Sequence, residues 1–206
     1  LDFEKSSVTL DVVQSQAGYS AFYSQPIHRY LTPEQKDQFN KNFYLIPEMD
    51  IKNLVVENTE EEHLFVLPLI ARYTVEQNEL LENAGTKYVL KAGMLIGPQV
   101  ELYSEKERLW PADVNQTHYL KRKIEINVPA NYVVTNVNEL NYEKICKQDE
   151  KEIAVFRSTA KQEGDKIIIQ VYEDYQVIEY KLPVYEQVRA VINASADFNK
   201  KNLIFF

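Results

Sequence analysis

An amphipathic helix that runs into an apolar terminus constrains this chain more than any other feature. Between Pro183 and Phe198, the side chains of Val184, Val188, Val191, Ile192 and Phe198 fall close to one helical stripe. Such a stripe leaves water only by lying on another element. Leu203-Ile204-Phe205-Phe206 follows, and each of these side chains would forfeit roughly 1.5–3 kcal/mol of burial if left in solvent. The terminus is therefore expected to be a strand at the closing edge of a β-domain. Nothing in it has the chemistry of a reaction centre.

Composition bounds the rest. Hydrophobic residues at 45% and charged residues at 26%, with only five glycines, describe a chain that folds instead of a flexible low-complexity linker. At 206 residues it is long enough for one large β-domain or two smaller ones. The net charge of −8 opposes broad binding to a phosphate backbone, which needs basic surface to displace counterions; no nucleic-acid partner is expected. No apolar run approaches the length of a membrane span. Cys146 stands alone, so it makes no internal disulfide and leaves the redox compartment open. The chain opens on Leu1 and is read as a processed product or a piece of a longer protein, with any targeting signal lost with the missing part.

Periodicity places the elements. Val8, Leu10 and Val12 alternate with polar neighbours, and after Gln16-Ala17-Gly18 the residues Tyr19, Ala21 and Tyr23 alternate again, which reads as a β-hairpin. Thr32-Pro33-Glu34-Gln35 is a helix start with a capping box; the helix reaches about Tyr44 and is stopped by Pro47. Ile51 to Val56 is a strand. Phe65, Leu67, Leu69, Ala71, Tyr73 and Val75 form one face of a long strand, with Pro68 on the other face marking it as an edge or a bulge. Glu76 to Thr86 reads as a loop, and Gln99 to Tyr103 as a short strand.

A boundary is expected near Trp110-Pro111-Ala112-Asp113. Beyond it Ile124, Ile126 and Val128 alternate with polar residues, and Ile153–Ser158 and Lys166–Tyr180 form a hairpin around Gln162-Glu163-Gly164-Asp165. The expected fold is mainly β, with antiparallel sandwich-like sheets in two tandem domains: 1–112 with a helix near 33–44, and 113–206 with a helix near 183–199.

The segments Arg108–Asp113, Ile124–Val134, the hairpin after them, and the helix holding Val191-Ile192-Asn193-Ala194-Ser195-Ala196-Asp197-Phe198-Asn199 follow one another in a familiar order, preceded by the Thr-Pro-Glu-Gln helix start and Ile51–Asn58. Over nearly the whole chain, this order resembles the region after the transglutaminase-like core in multidomain exported proteins of the Bacteroidetes type. The resemblance implies a non-catalytic β-module that accompanies a papain-like cysteine domain in a periplasmic or extracellular protein. Its partners would be that domain and an envelope protein or glycan. Such a core orders its catalytic residues Cys, His, Asp. Here His28, His63 and His118 all precede Cys146, so any catalytic core is expected outside this chain. No enzymatic activity, cofactor or metal is expected within it.

Individual residues give three further candidates. Trp110, Tyr103 and Tyr119 could form an aromatic platform for sugar rings or peptide, or could simply pack between domains. Cys146 would need a depressed pKa to act as a nucleophile; the simpler reading is a small strand residue. Glu60-Glu61-Glu62-His63 carries metal-ligand atom types without a second cluster at a ligand-like spacing, and reads as a solvated turn. His28 and His118 read as surface or partly packed side chains. Lys121-Arg122-Lys123 is a basic run that strand alternation splits across two faces. Two glycosylation sequons, at Asn115 and Asn193, carry no expectation of modification in a bacterial protein. The functional expectation is an accessory or interaction module that positions a catalytic domain or binds a partner. A carbohydrate-binding β-sandwich is the alternative, and a free-standing hydrolase ranks last.

Overall fold

The computed structural model describes residues 1–44, 51–103 and 107–206. The chain is strand-rich and every strand pairing is antiparallel, as the two-residue periodicity leads one to expect. Its residues gather into two compact units, Asp2–Glu79 and Leu80–Phe206, with Leu1 counted in the second. The boundary expected near 112/113 falls inside the second unit, where Ala112 and Asp113 pair with Tyr180 and Glu179.

In the first unit, β1 (Val8–Gln16), β2 (Ile51–Glu57) and β3 (Leu69–Gln77) form a sheet of order β1-β3-β2. Two expectations are corrected here. The long strand does not begin at Phe65: it begins at Leu69, just after Pro68, which has no N–H to give a ladder. Nor is it an edge, because β3 is paired on both sides; the proline marks the start of a central strand.

The expected hairpin is also absent. After Gly18, at φ 56°, the chain enters α1 (Tyr19–Phe22) and α2 (Ser24–Tyr30). Ala21, Ser24, Gln25 and His28 are buried, and their spacing of three and four is helical. Because the buried residues are mostly polar and the exposed ones aromatic, the usual hydrophobic signal is inverted, and a two-residue alternation of Tyr19, Ala21 and Tyr23 is left to mislead. The third helix, α3 (Pro33–Tyr44), begins as read: the Thr32 N–H donates to Gln35 Oε1 at 2.9 Å and the Gln35 N–H to Thr32 Oγ1 at 3.3 Å, a reciprocal capping box. Pro47, read as its stop, lies outside the described residues.

The second unit is built on a four-stranded sheet of β7 (His118–Asn127), β8 (Tyr142–Gln148), β9 (Lys151–Glu163) and β10 (Lys166–Tyr175), in the order β7-β10-β9-β8. The hairpin between β9 and β10 turns at Gly164, φ 61°. One face carries Ile126, Cys146, Phe156, Ile167, Ile169 and Val171, all buried. Against β8 and β9 lies α4 (Leu182–Asn199), and the Phe156 and Phe198 rings meet with centroids 5.6 Å apart. The helix buries Val188, Val191 and Phe198 of the expected stripe together with Tyr185, Ala194 and Ser195.

The terminal strand is present: β12 (Leu203–Phe205) pairs with β5 (Tyr88–Leu90), which pairs with β4 (Leu81–Asn83), so β12 is an edge of that small sheet. β4 occupies the stretch read as a loop, where apolar positions are too few to show a period. A two-stranded ribbon of β6 (Ala112–Asp113) and β11 (Glu179–Tyr180) completes the strands. Residues 99–103, expected as a strand, join no ladder. Side chains of α4 and of its C-cap hold them instead: the Asn193 Oδ1 accepts from the Leu102 N–H at 2.7 Å, and Lys200 pairs with Glu101 at 2.7 Å.

Candidate functional site

The three aromatic candidates do not form one platform. Tyr103 hydrogen-bonds through its hydroxyl to Asp197, near the C-terminal end of α4, and Lys200 lies 5.2 Å from its ring centroid. That bond pushes the phenol pKa up. Trp110, 78% exposed, is tied to the other end of the helix: Arg108 donates to its carbonyl at 2.8 Å and lies over the Tyr185 ring at 4.8 Å. Tyr185 and Asp197 are about 18 Å apart along the helix axis at 1.5 Å per residue. Tyr119 stands opposite Asp174 on the sheet face turned away from α4. Three different surfaces hold the three rings.

Cys146 is fully buried, its Sγ lies 3.8 Å from the Val184 carbonyl oxygen, and burial pushes the thiol pKa up. A thiol so placed is poorly suited to attack. Glu60 and His63 pair with each other at 3.0 Å across one 3-10 turn (Glu61–His63), and Glu61 pairs with Arg29 at 2.7 Å. Among the described residues no group of three His, Cys, Asp or Glu side chains comes together as a metal set, and no helix is long and apolar enough to cross a membrane. His28 corrects its expectation: it is buried in α2 and its ring meets Phe39 of α3 edge-on at 5.1 Å. His118 is half-buried and packs on Tyr175, with centroids 5.0 Å apart.

Two surfaces that sequence reasoning missed carry more organisation. The first belongs to the first unit. Phe65, Val66 and Leu67 are exposed, Phe65 to 62% and Val66 to 76%. Phe65 sits at φ 63°, a left-handed conformation costly for a bulky residue. One buried amide holds it there. Gln25 accepts the Phe65 N–H at 3.1 Å and donates to the carbonyls of Asn58 at 2.7 Å, His63 at 3.3 Å and Leu67 at 3.1 Å. Beside this knuckle the Phe22 ring lies 5.3 Å from Phe65 and 5.0 Å from Tyr23. Tyr19, Tyr23 and Tyr30 of the adjoining helices are also exposed. Glutamine and serine inside with phenylalanine and tyrosine outside is the reverse of what an unpartnered domain surface needs.

The second surface is the face of the four-stranded sheet opposite α4. Strand register brings Lys121, Tyr172, Arg157 and Glu143 into one cross-strand row and Lys123, Gln170 and Thr159 into the next. Lys121, Lys123, Arg157, Thr159, Gln170 and Tyr172 line a groove of about 520 Å³. Lys123 pairs with Glu125 at 2.5 Å, and this holds the Glu125 carboxyl below its usual range. Arg157 is bound through Nε to Glu143. Lys121 faces rings instead, 5.1 Å from the Tyr119 centroid and 5.7 Å from that of Tyr172. The Tyr172 hydroxyl donates to Asp174 at 2.8 Å, which pushes its pKa up. Arg122, the middle residue of the basic run, lies on the α4 side of the sheet, where it pairs with buried Glu173.

The signal for the knuckle was a glutamine among aromatics followed by Pro68, which no periodicity template weighs. The groove depends on pairing register, which one strand alone does not contain. Comparison with protein families, curated proteins and solved structures finds no family model, no curated protein and no solved structure that matches this chain.

Proposed function

We propose that this chain is a non-catalytic interaction module that docks a protein partner on the Phe65–Leu67 knuckle and the aromatic face of α1 and α2. One observation carries the reading: Phe65 sits at φ 63° with its side chain turned to solvent, in a loop that buried Gln25 ties by accepting the Phe65 N–H and donating to the carbonyls of Asn58, His63 and Leu67. Backbone strain persists only where the surroundings impose it, and it collects at functional positions. Preorganising a loop lowers the ordering cost of binding, and aromatic anchors supply most of the affinity at interfaces. With Glu60, Glu61 and Glu62 beside the knuckle, the partner surface is an apolar pocket rimmed by basic residues. The resemblance to regions that accompany transglutaminase-like domains makes such a domain, or an envelope protein of a secreted or periplasmic assembly, the partner to try first.

A photo-crosslinking side chain placed at Val66 tests this in the protein's native setting. The expected result is a discrete adduct that disappears when Phe22→Ser is introduced and is absent when the crosslinker sits at Val13, which also faces solvent on β1. Identical adduct patterns at Val66 and Val13 would defeat the proposal.

A further inference from the structure

We infer that the groove on the open face of the four-stranded sheet in the second unit binds an anionic glycan, with a carboxylate or sulfate as its charged group. This does not rest on the knuckle reading. The groove offers three kinds of contact at fixed positions. Lys121 supplies a cation that makes no ion pair within 4 Å among the described residues and is poised between two tyrosine rings. Arg157 leaves its two Nη groups open among the described residues, since Glu143 takes only Nε; a guanidinium presents such donors in a geometry matched to oxyanions. Gln170 and Thr159 add an amide and a hydroxyl in the next row, groups suited to sugar hydroxyls. Tyr119 is 63% exposed and gives a ring face for the apolar C–H face of a pyranose.

Rival ligands fit less well. A peptide captured by a sheet pairs with an edge strand, whereas here β10 and β9 are flanked on both sides and the face presents side chains only. A nucleic acid needs a broad basic surface, whereas this face offers three cations, two of them already paired with Glu125 and Glu143, in a chain of net charge −8. A neutral glycan leaves Lys121 without a role. The volume of about 520 Å³ is within the range of small-ligand sites, and the groove's place on an open sheet face suits a segment of a longer chain of sugars.

Calorimetric titration of the full chain tests the inference with four probes: an oligogalacturonate, its neutral methyl ester, a heparin-derived sulfated oligosaccharide and poly-glutamate. The expected result is binding of at least one of the two acidic glycans. The methyl ester and poly-glutamate bind at least tenfold more weakly. Lys121→Ala, Lys121→Gln and Tyr119→Ala each weaken glycan binding tenfold or more, with circular dichroism unchanged. Trp110→Ala leaves it intact. Silence of both acidic glycans would overturn the inference. So would poly-glutamate binding as tightly as the glycans, or glycan binding that survives both Lys121 variants.

Discussion

Oε1 of Gln25 accepts the backbone N–H of Phe65 at 3.1 Å, a bond that joins residues forty positions apart and fixes an otherwise disfavoured backbone turn. Gln25→Leu removes the partner of that N–H and a donor to three carbonyls, of which only that of His63 keeps backbone partners among the described residues, the Val66 and Leu67 N–H groups. Leaving buried polar groups unsatisfied costs about 1–3 kcal/mol each, partly relieved where the loop opens to water, so a loss of about 3 kcal/mol is expected in urea unfolding. Amide exchange at Phe65–Leu67 accelerates in the variant, whereas exchange in β9 and β10 changes little. Unaltered exchange in the knuckle would show that Gln25 does not hold it.

The basic run Lys121-Arg122-Lys123 contains residues of two kinds, and truncation separates them. Glu173 is buried, and Arg122 is its ion-pair partner. Arg122→Ala strands that carboxylate, and breaking such a pair costs about 3–5 kcal/mol. Lys121→Ala removes a side chain that faces solvent and two rings, with an expected cost of about 1 kcal/mol or less. Melting temperatures of the two variants measured side by side decide the matter; equal values would refute the split.

Gly93 is needed for a close approach. A Cβ built there would lie 2.0 Å from the Phe198 carbonyl oxygen, while the Gly93 N–H donates to Lys201 at 2.8 Å and Asn199 Nδ2 donates to Gly97 at 2.8 Å. Backbone cannot yield as a flexible side chain does. Gly93→Ala is expected to cost about 3 kcal/mol or more by overpacking, and to loosen the end of α4, readable as faster exchange at Asn199–Lys201. Gly85→Ala, where nothing lies within 4 Å of the added atom, costs less and acts only through φ 78°.

Cys146 reports on unfolding instead of chemistry. The thiol is fully buried and its pKa is raised by that burial, so a thiol reagent at pH 7.5 labels it only when the sheet opens. The labelling rate should rise with urea in step with the unfolding equilibrium and match a free thiol once the chain is denatured. Rapid stoichiometric labelling of native protein would show an accessible thiolate.

His28 makes the first unit acid-sensitive. Desolvation, and after it the charge of Lys36, hold its pKa below the ordinary 6.5. The unfolded chain therefore takes up this proton more readily, and stability that is whole above about pH 6.5 declines as pH falls toward the lower folded-state value. Replacement by phenylalanine removes this part of the slope between pH 7 and 5 while leaving the ring contact to Phe39. Parallel slopes for the two proteins would assign the acid sensitivity elsewhere.

Strands β7, β9 and β10 and helix α4 were legible because their apolar positions keep period. Ile167, Ile169 and Val171 recur at a two-residue spacing and are buried, and the stripe of α4 reads at 3.6 residues per turn. The first unit was less legible for a physical reason: α1 and α2 bury Ser24, Gln25 and His28 and expose Tyr19, Phe22 and Tyr23, so hydrophobicity assigns the wrong side to the core. Phe65 and Leu67 fitted the alternation of β3 by coincidence, and only the missing N–H of Pro68 separates them from it. Trp110, Tyr103 and Tyr119 were grouped by residue type, but what groups side chains is register and helix position. Register also turned the basic run into a groove with Arg157, a residue far from it in sequence.

The pairing of Leu203–Phe205 with Tyr88–Leu90 sets the timetable of biosynthesis. While the ribosome is still making α4, β5 has β4 on one flank and nothing on the other, an apolar strand with open hydrogen-bonding groups in a crowded cytosol. Chaperones that shield nascent chains would be engaged until Leu203–Phe205 emerge. A chain truncated just before Leu203 would leave β5 open on that flank and prone to aggregate.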